Sequence, residues 1–363
     1  MTFNWTFPKK QNEVEILNKG DIVRDDNTNP EFIEICKIFS YRREHEQEGE
    51  KAFIKKYMQN PENPFTPILS KSGEVLAYRY DNTNARSDSN ILWACHIDTV
   101  HSTKPDQIFQ DVYIDAFGTA FVDEQQDCLG ADDGTGVWLL LEMIKANCFG
   151  TYIFFRGEEQ GCIGSSQLAE EQEDYFKSFT HIISLDRKGT DEVITNQRND
   201  VCCSDKFADD FAKLLGMGFK KSDKGVYTDS AEFTHLIPEC TNLGVGYINQ
   251  HSSRETQDLN FLVKLRDKLI SIDWANVKLS VERKPEPKMT YGGGLGSYYG
   301  DMYSGSYLDD DWDTPDDLYN YEDFAYMSES AIQEYVSKLT SKEIAKLLKF
   351  MAEDIQYMNE GGI

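Results

Sequence analysis

The sequence predicts an α/β protein whose central sheet is covered by helices on both faces. Short apolar runs alternate along the chain with segments of helical periodicity, which is typical of strands buried between helices. Of the 363 residues, 40% are hydrophobic and 12% are aromatic. This composition supports a large packed core and argues against global disorder.

The chain begins with a polar, irregular segment over residues 1–29, and the first helices follow it. Asn29 and Pro30 have the residue types of a helix N-cap and a first helical position. From Pro30 to Met58 apolar residues recur near helical spacing, which predicts two helices or one broken helix.

Strands and helices then alternate through the middle of the chain. The predicted strands are Ile91–Ala94, Thr151–Phe155, His181–Leu185 and Leu243–Tyr247. The predicted helices are Val137–Ile144, Lys206–Leu215 and Leu259–Trp274. These elements place the main domain at residues 30–284.

The composition changes after residue 284. Residues 285–327 are rich in Gly and Tyr and then in acids, which predicts a flexible linker. Nine acids and no Lys or Arg lie between Asp301 and Asp323. Residues 328–363 have the apolar stripe of a helical segment. The acidic linker and this segment together are a candidate surface for a protein partner.

Charge, hydropathy and cysteine usage restrict the classes of function. The formal net charge of −26 repels phosphates and argues against nucleic-acid binding. No apolar run reaches the roughly 18 residues of a membrane-spanning helix. The N-terminus lacks the features of a signal peptide, so we expect a cytoplasmic protein with no membrane contact. Eight cysteines without a CxxC pair favour buried free thiols.

Two motifs begin a series of candidate metal ligands, each at or just after a predicted strand end or at a helix start. In CHIDTV, His96 is a candidate zinc ligand whose ring Asp98 would orient, although this short motif taken alone favours a buried structural histidine. In LGADDGTGV, Asp132 and Asp133 stand at a helix N-terminus. One acid there would serve as a cap, whereas two acids among three glycines suit close approach to a metal.

Three further motifs complete the series. In RGEEQGCIG, the adjacent carboxylates of Glu158 and Glu159 repel each other unless a cation lies between them, or else they form a solvated acidic loop. In SLDRKG, Asp186 ends a strand and would bind a metal or pair with the basic residues that follow it. In GYINQHSSRE, His251 follows a predicted strand and precedes a helix.

The order His, Asp, Glu-Glu, Asp, His resembles the co-catalytic di-zinc exopeptidase superfamily. This superfamily includes leucyl aminopeptidases, peptidase T-like tripeptidases, carboxypeptidases and deacylases. The matching pieces, which span roughly residues 30–275, are HIDTV, LGADDGTGV, GEEQGCIGS, SLDRKG and GYINQHSSRE. The resemblance implies a three-layer α/β/α catalytic domain of the phosphorylase/hydrolase-like type, with a central mixed, mostly parallel sheet.

The resemblance also implies the metal ligands. Asp132 would bridge two zinc ions, with Co2+ or Mn2+ as alternatives. His96 and Asp186 would complete one site, and Glu159 and His251 would complete the other.

The remaining implied roles belong to the catalytic acids. Glu158 would be the general base, which takes a proton from the metal-bridging water and delivers it to the leaving amine. Asp98 would orient the first histidine. The Asp132–Asp133 peptide would be cis, as it is in the superfamily.

The spacing of the motifs bears on substrate class. Thirty-five residues separate His96 from Asp132 and 64 separate Asp186 from His251, so neither gap holds an inserted domain of about 100 residues. We therefore expect no lid or dimerisation domain and an aminopeptidase of short peptides.

Three alternatives to an aminopeptidase remain open at this stage. A deacylase or carboxypeptidase would need an arginine for the substrate carboxylate, and the candidates are Arg156, Arg187, Arg198 and Arg254. A non-catalytic metal-binding assembly protein is the third alternative.

One further segment is expected near the cleft. YTDSAEF at residues 227–233 would line it, where Asp229 or Glu232 would meet a substrate amine. The plain alternative for this segment is a helix start capped by Thr228 or Asp229.

Overall fold

The computed structural model describes residues 22–23, 28–59, 65–82, 90–103, 106–197 and 200–285. All of them lie within the first of two compact units, Met1–Met289. The predictions for most of the N-terminal segment, for nearly all of the linker at 285–327 and for the helical segment at 328–363 lie outside the described residues.

Fifteen strands lie in the described ranges. They are β1 (Ile22–Val23), β2 (Thr66–Leu69), β3 (Val75–Asn82), β4 (Ile91–His96), β5 (Val112–Ile114), β6 (Thr119–Phe121), β7 (Gly150–Phe155), β8 (His181–Arg187), β9 (Glu192–Ile194), β10 (Asn196–Gln197), β11 (Asp200–Val201), β12 (Lys220–Ser222), β13 (Glu239–Gly244), β14 (Tyr247–Ile248) and β15 (Thr256–Asp258).

Seven α-helices and one 3-10 helix accompany these strands in the same ranges. They are α1 (Pro30–Phe39), α2 (Glu48–Tyr57), α3 (Ala131–Lys145), α4 (Ile163–Glu171), α5 (Glu173–Phe176), α6 (Asp205–Leu215), the 3-10 helix Asp229–Phe233 and α7 (Leu259–Ser271). None of them is long and apolar enough to cross a bilayer.

The main sheet has eight strands in the order β12-β9-β13-β8-β4-β7-β3-β2. The pairs β4–β7, β4–β8, β8–β13 and β9–β12 are parallel. The pairs β2–β3, β3–β7 and β9–β13 are antiparallel. The predicted central sheet, mixed and mostly parallel, is therefore confirmed.

Helices cover both faces of this sheet. Successive side chains of a strand point to opposite faces, so neighbouring residues of one strand pack into different cores. On β4, Trp93 packs into one apolar core with residues of α1, α2, α3, α6 and α7, whereas Leu92 packs into a second core with α4, α5 and the 3-10 helix. This is the predicted three-layer arrangement. All eight cysteines are free and buried, as the sequence predicts.

A second, five-stranded sheet has the order β1-β5-β6-β15-β14. Strands β5 and β6 lie in the stretch between His96 and Asp132, and β14 and β15 flank His251. This sheet therefore joins the two stretches of chain around the first and last motifs. Sequence periodicity did not reveal it, since its strands have only two or three residues. The absence of a lid or dimerisation domain stays a prediction.

The helix and strand predictions are largely confirmed, with one clear error. Pro30–Met58 forms two helices, and the Asn29 side chain caps the first by accepting the N–H of Glu31 at 3.0 Å. The strand predicted at Leu243–Tyr247 is wrong in position, since β13 runs from Glu239 to Gly244. Its first residues are polar yet buried, and side-chain hydrogen bonds satisfy them, which an apolar pattern cannot reveal.

Candidate metal and catalytic site

The predicted ligands gather at the carboxyl edge of the main sheet. Strand β4 lies between the parallel strands β7 and β8, so the three carboxyl ends meet at one edge. His96 is the last residue of β4, and Asp186 lies near the end of β8. Glu158 and Glu159 follow β7 within four residues.

Asp132 lies at the centre of the cluster. It stands at the second position of α3, and its peptide bond to Asp133 is cis, as the resemblance implies. Its Oδ1 lies 3.1 Å from Nε2 of His96, and its Oδ2 lies 3.2 Å from Nε2 of His251. One carboxylate therefore presents a separate oxygen to each histidine.

Two groups of three ligand atoms share this carboxylate. His96, Asp132 and Asp186 form one group, and Asp132, Glu159 and His251 form the other. Within each group the ligand atoms lie within 4.8 Å of one another. Nitrogen and carboxylate oxygen donors at this separation suit zinc, cobalt or manganese.

The electrostatics of the cluster favour a cation. Burial alone would lower the pKa of His251, but the carboxylates of Glu159 and Asp132 raise it to about 12. Burial raises the pKa of Glu158 well above its usual value, and the negative charge of Asp186 raises it further. Buried carboxylates this close together repel one another, and divalent ions would relieve that repulsion. The residues present therefore fit metal ions.

The predicted contact between the Asp98 carboxylate and the His96 ring differs in detail from the observed one. The His96 ring reaches the backbone carbonyl of Asp98, with Nδ1 at 3.0 Å, while the Asp98 carboxylate is 3.8 Å away. A carbonyl accepts only, so Nδ1 carries the proton and Nε2 keeps its lone pair for a metal. The Asp98 carboxylate instead accepts the N–H groups of Gly157, Glu158 and Glu159 at 2.8, 3.2 and 3.1 Å.

Three residues that the sequence motifs did not single out as site residues hold Asp186. The Thr228 hydroxyl donates to its Oδ2 at 2.7 Å, and the Tyr247 hydroxyl donates to its Oδ1 at 3.1 Å. The Asn242 side chain accepts its backbone N–H and donates to its carbonyl. Their polar types at strand and helix ends were visible, but their pairing with Asp186 depends on the fold.

The segment before the last histidine does not form the capping interaction considered above. Thr228 makes no side-chain cap to the 3-10 helix and donates to Asp186 instead. Asp229 is buried and accepts the Ser165 hydroxyl at 2.5 Å. Burial raises the pKa of Asp229 well above its usual value, and the charges of Asp98 and Asp186 raise it further. The 3-10 helix that carries Asp229 packs against β4 and β8, the strands of His96 and Asp186.

Two of the four candidate arginines already have carboxylate partners. Arg156 donates to both oxygens of the buried Glu50 at 2.9 and 2.7 Å and also contacts Glu46. Arg187 donates to Glu192 at 2.9 Å. Arg198 lies outside the described residues, and Arg254 lies in the His251 loop.

A separate group of potential ligands, away from this cluster, is His45, Glu46 and Glu50, and both of its glutamates contact the Arg156 guanidinium. Its carboxylates thus already have a cation, so we assign no metal to it.

The fold and the clustered ligands define a class, the metal-dependent exopeptidases with an α/β/α catalytic domain. Residues 76–236 match the family model of peptidase family M28. The match contains the first four motifs and ends before His251. It confirms the relationship to the co-catalytic zinc exopeptidases that the motifs indicated, and the protein is a hydrolase of the metallopeptidase class.

Solved structures support the same fold. Aminopeptidase PepT from Bacillus cereus has a TM-score of 0.52 and 15% identity, over 67% of this chain and 97% of that one. A tripeptidase from Staphylococcus aureus has a TM-score of 0.51 and 14% identity, with the same coverage. Among curated proteins no match is found.

Proposed function

We propose that the protein is a two-metal aminopeptidase that hydrolyses short peptides. The observation that carries the proposal is the Asp132 carboxylate, which faces His96 with one oxygen and His251 with the other. His96 and Asp186 would hold one ion with Asp132, and Glu159 and His251 would hold the second.

The chemistry divides between the metals and Glu158. Zinc, when bound, acts as a Lewis acid that polarises the scissile carbonyl and acidifies water. Glu158 takes one proton from the attacking water and delivers it to the departing amine, as the peptide C–N bond breaks and a C–O bond forms. Asp98 supports this base through the backbone N–H groups of Gly157 and Glu158.

The charges around the cluster support the choice of aminopeptidase. Asp229 lies buried on the 3-10 helix that packs against β4 and β8, and we assign it to the substrate's α-ammonium group, whose positive charge would favour the ionised carboxylate. A carboxypeptidase or N-acyl amino acid deacylase would need an available arginine. Arg156 and Arg187 are engaged by Glu50 and Glu192, which leaves Arg254, in the His251 loop, as the described candidate for that role.

The eight buried free thiols support a reducing location, and we propose the cytoplasm. A protein partner for the acidic linker and the C-terminal helical segment remains a proposal on residues outside the described ranges.

Metal analysis with a substrate panel tests the proposed function. We expect the purified full chain to hold zinc, cobalt or manganese and to cleave aminoacyl substrates faster than their N-acetylated counterparts. A chelator should abolish turnover, and added Zn2+ should restore it. Protein that holds none of these metals would overturn the proposal, as would a preference for N-acyl substrates.

A further inference from the structure

The loop that carries His251 ends in an acid, Glu255, whose side chain is buried. Glu255 is fully buried, and both of its carboxylate oxygens accept backbone N–H groups. Oε2 accepts from Gly130 at 2.8 Å, and Oε1 accepts from Asp132 at 2.9 Å. One side chain therefore joins the loop of one predicted ligand to the backbone of another.

The turn that Glu255 contacts is also held from its other side. Gly130 has a φ of 73°, and its carbonyl accepts a hydrogen bond from Arg43 at 3.0 Å. A Cβ at this position would lie 3.1 Å from the His101 ring, so the turn is tightly enclosed. With its N–H and its carbonyl both bound, the turn has little freedom to move relative to the His251 loop.

A second contact comes from β15, the strand that directly follows Glu255, and it reaches helix α3. Gln257 accepts the Thr135 hydroxyl at 2.8 Å and donates to the carbonyl of Val245 at 3.2 Å. The stretch 255–257 therefore contacts the turn at residues 130–132 and the first turn of α3 together. The end of this stretch nearest the cluster is Glu255.

We infer that Glu255 is a positioning residue for metal binding. It holds Asp132 at the separation from His251 at which both can bind one ion. This inference deepens the proposed function and rests on it. A carboxylate suits the position because two N–H groups need two acceptors. Glutamine has the same shape but would place an amide NH2 against one of those N–H groups.

The consequence is a loss of metal affinity that exceeds any general loss of stability. Residues that orient metal ligands typically change metal affinity by 10- to 100-fold when they are replaced. A purely structural role would lower the stability of the protein and leave the affinity of the folded protein for metal unchanged. Metal affinity and metal-free stability therefore separate the two roles.

The chain offers a matched control in Glu239. This carboxylate is also fully buried and also accepts backbone N–H groups, from Ser204 at 2.6 Å and from Glu282 at 2.7 Å. Its hydrogen-bond partners, Ser204, Glu282 and Arg283, are not among the predicted metal ligands. Glu239→Gln therefore makes the same chemical change at a comparable burial.

The experiment measures Zn2+ affinity by competition with a chromophoric chelator, together with the visible spectrum of the Co2+-loaded protein. We expect Glu255→Gln to weaken Zn2+ binding by about 10- to 100-fold and to change the Co2+ spectrum. Glu239→Gln should lower the thermal midpoint of the metal-free protein but leave both metal readouts unchanged.

A second variant keeps the test decisive if Glu255→Gln does not fold. Glu255→Asp keeps both acceptors but is one methylene shorter, so we expect weaker Zn2+ binding in a folded protein. Unchanged Zn2+ affinity in the folded Glu255 variants, or equal weakening in Glu239→Gln, would overturn the inference. Wild-type protein that binds none of Zn2+, Co2+ and Mn2+ would instead overturn the proposed function.

Discussion

Replacement of Glu158 by glutamine separates proton transfer from metal binding. The substituted side chain would keep the size of the original but could not take up a proton from water. The Glu158 side chain is only 13% exposed, and its Oε2 lies 3.9 Å from the Nε2 of His96. Bulk solvent therefore cannot easily replace it as the base.

The expected magnitude follows from what a positioned base contributes. General-base catalysis typically provides about 10²- to 10⁴-fold in rate, or roughly 3–5 kcal/mol of activation free energy. Because the site is buried, we expect kcat of Glu158→Gln to fall toward the larger end of that range. KM and metal content should change little, since the predicted ligands are intact.

Glu159→Gln is the matched control, since it makes the same chemical change one residue further along. Its Oε1 lies 3.1 Å from the Nε2 of His251, so this variant should lose metal affinity as well as turnover. Steady-state kinetics and elemental analysis of both variants provide the comparison. A Glu158→Gln enzyme with wild-type kcat would refute the assigned role, and so would one that loses metal as readily as Glu159→Gln.

Three further predictions concern substrate, pH and packing. Asp229→Asn should lower kcat/KM for aminoacyl substrates by about 10- to 100-fold, as for a lost hydrogen bond to a charged group, without changing the metal content. Burial lowers the pKa of His101 to about 3, so at pH 5 only the unfolded imidazole is protonated. Stability relative to His101→Gln should therefore fall by roughly 2 kcal/mol from pH 7.5 to pH 5 in chemical denaturation. Gly136→Ala should destabilise the fold by about 1–3 kcal/mol in thermal unfolding, because overpacking is costly. Its new Cβ would lie 2.4 Å from the Leu185 carbonyl oxygen.

Each of these predictions has a contrary outcome. An equal loss of kcat/KM on aminoacyl and N-acyl substrates in Asp229→Asn would show that Asp229 does not bind the substrate's ammonium group. Parallel pH–stability curves for wild type and His101→Gln would show that this histidine does not titrate differently in the two states. Gly73→Ala is the packing control. Gly73 has a φ of 94°, and a Cβ added there would have no atom within 4 Å. Only backbone strain of about 1 kcal/mol is therefore expected.

The location of the site could be predicted from the sequence because it follows from local rules. Apolar runs identified β4, β7 and β8, and polar residues at their ends had to meet at one sheet edge. His96 and Asp186 were found in this way, and the structure brings both within 3.5 Å of each other. The prediction needed no knowledge of long-range contacts beyond the parallel arrangement of the strands.

What the sequence could not reveal depends on contacts between distant segments. Thr228 donates to Asp186 across 42 positions, and Glu255 accepts from Asp132 across 123. Both residues lie in segments that the sequence analysis quoted, but no local pattern pairs either of them with its distant partner. The Asp98 side chain also has a partner other than the predicted one, and the His96 ring binds the Asp98 backbone carbonyl instead. Proximity in sequence suggested a bond to His96, whereas the carboxylate reaches the loop at residues 157–159.

These contacts explain why three of the motifs contain an acid in addition to the predicted metal ligand. In the first motif, Asp98 holds the backbone of the Glu-Glu motif. In the second, Asp133 accepts the backbone N–H of His96 at 3.2 Å. In the last, Glu255 holds the backbone around Asp132. In each of these motifs one histidine or aspartate is a predicted metal ligand, and the additional acid binds the backbone of another motif.

Such reciprocal support has a thermodynamic consequence. Several predicted ligands have a backbone N–H group that is bound by an acid from a different motif, so we expect the loss of one acid to displace a predicted ligand elsewhere in the cluster. Residues within one hydrogen-bond network typically couple by about 0.5–3 kcal/mol in double-mutant cycles. The Asp98, Asp133 and Glu255 carboxylates should therefore be non-additive in metal affinity, although they lie on separate elements. Strict additivity among them would mean that each motif positions its own predicted ligand, and these three acids would then need another explanation.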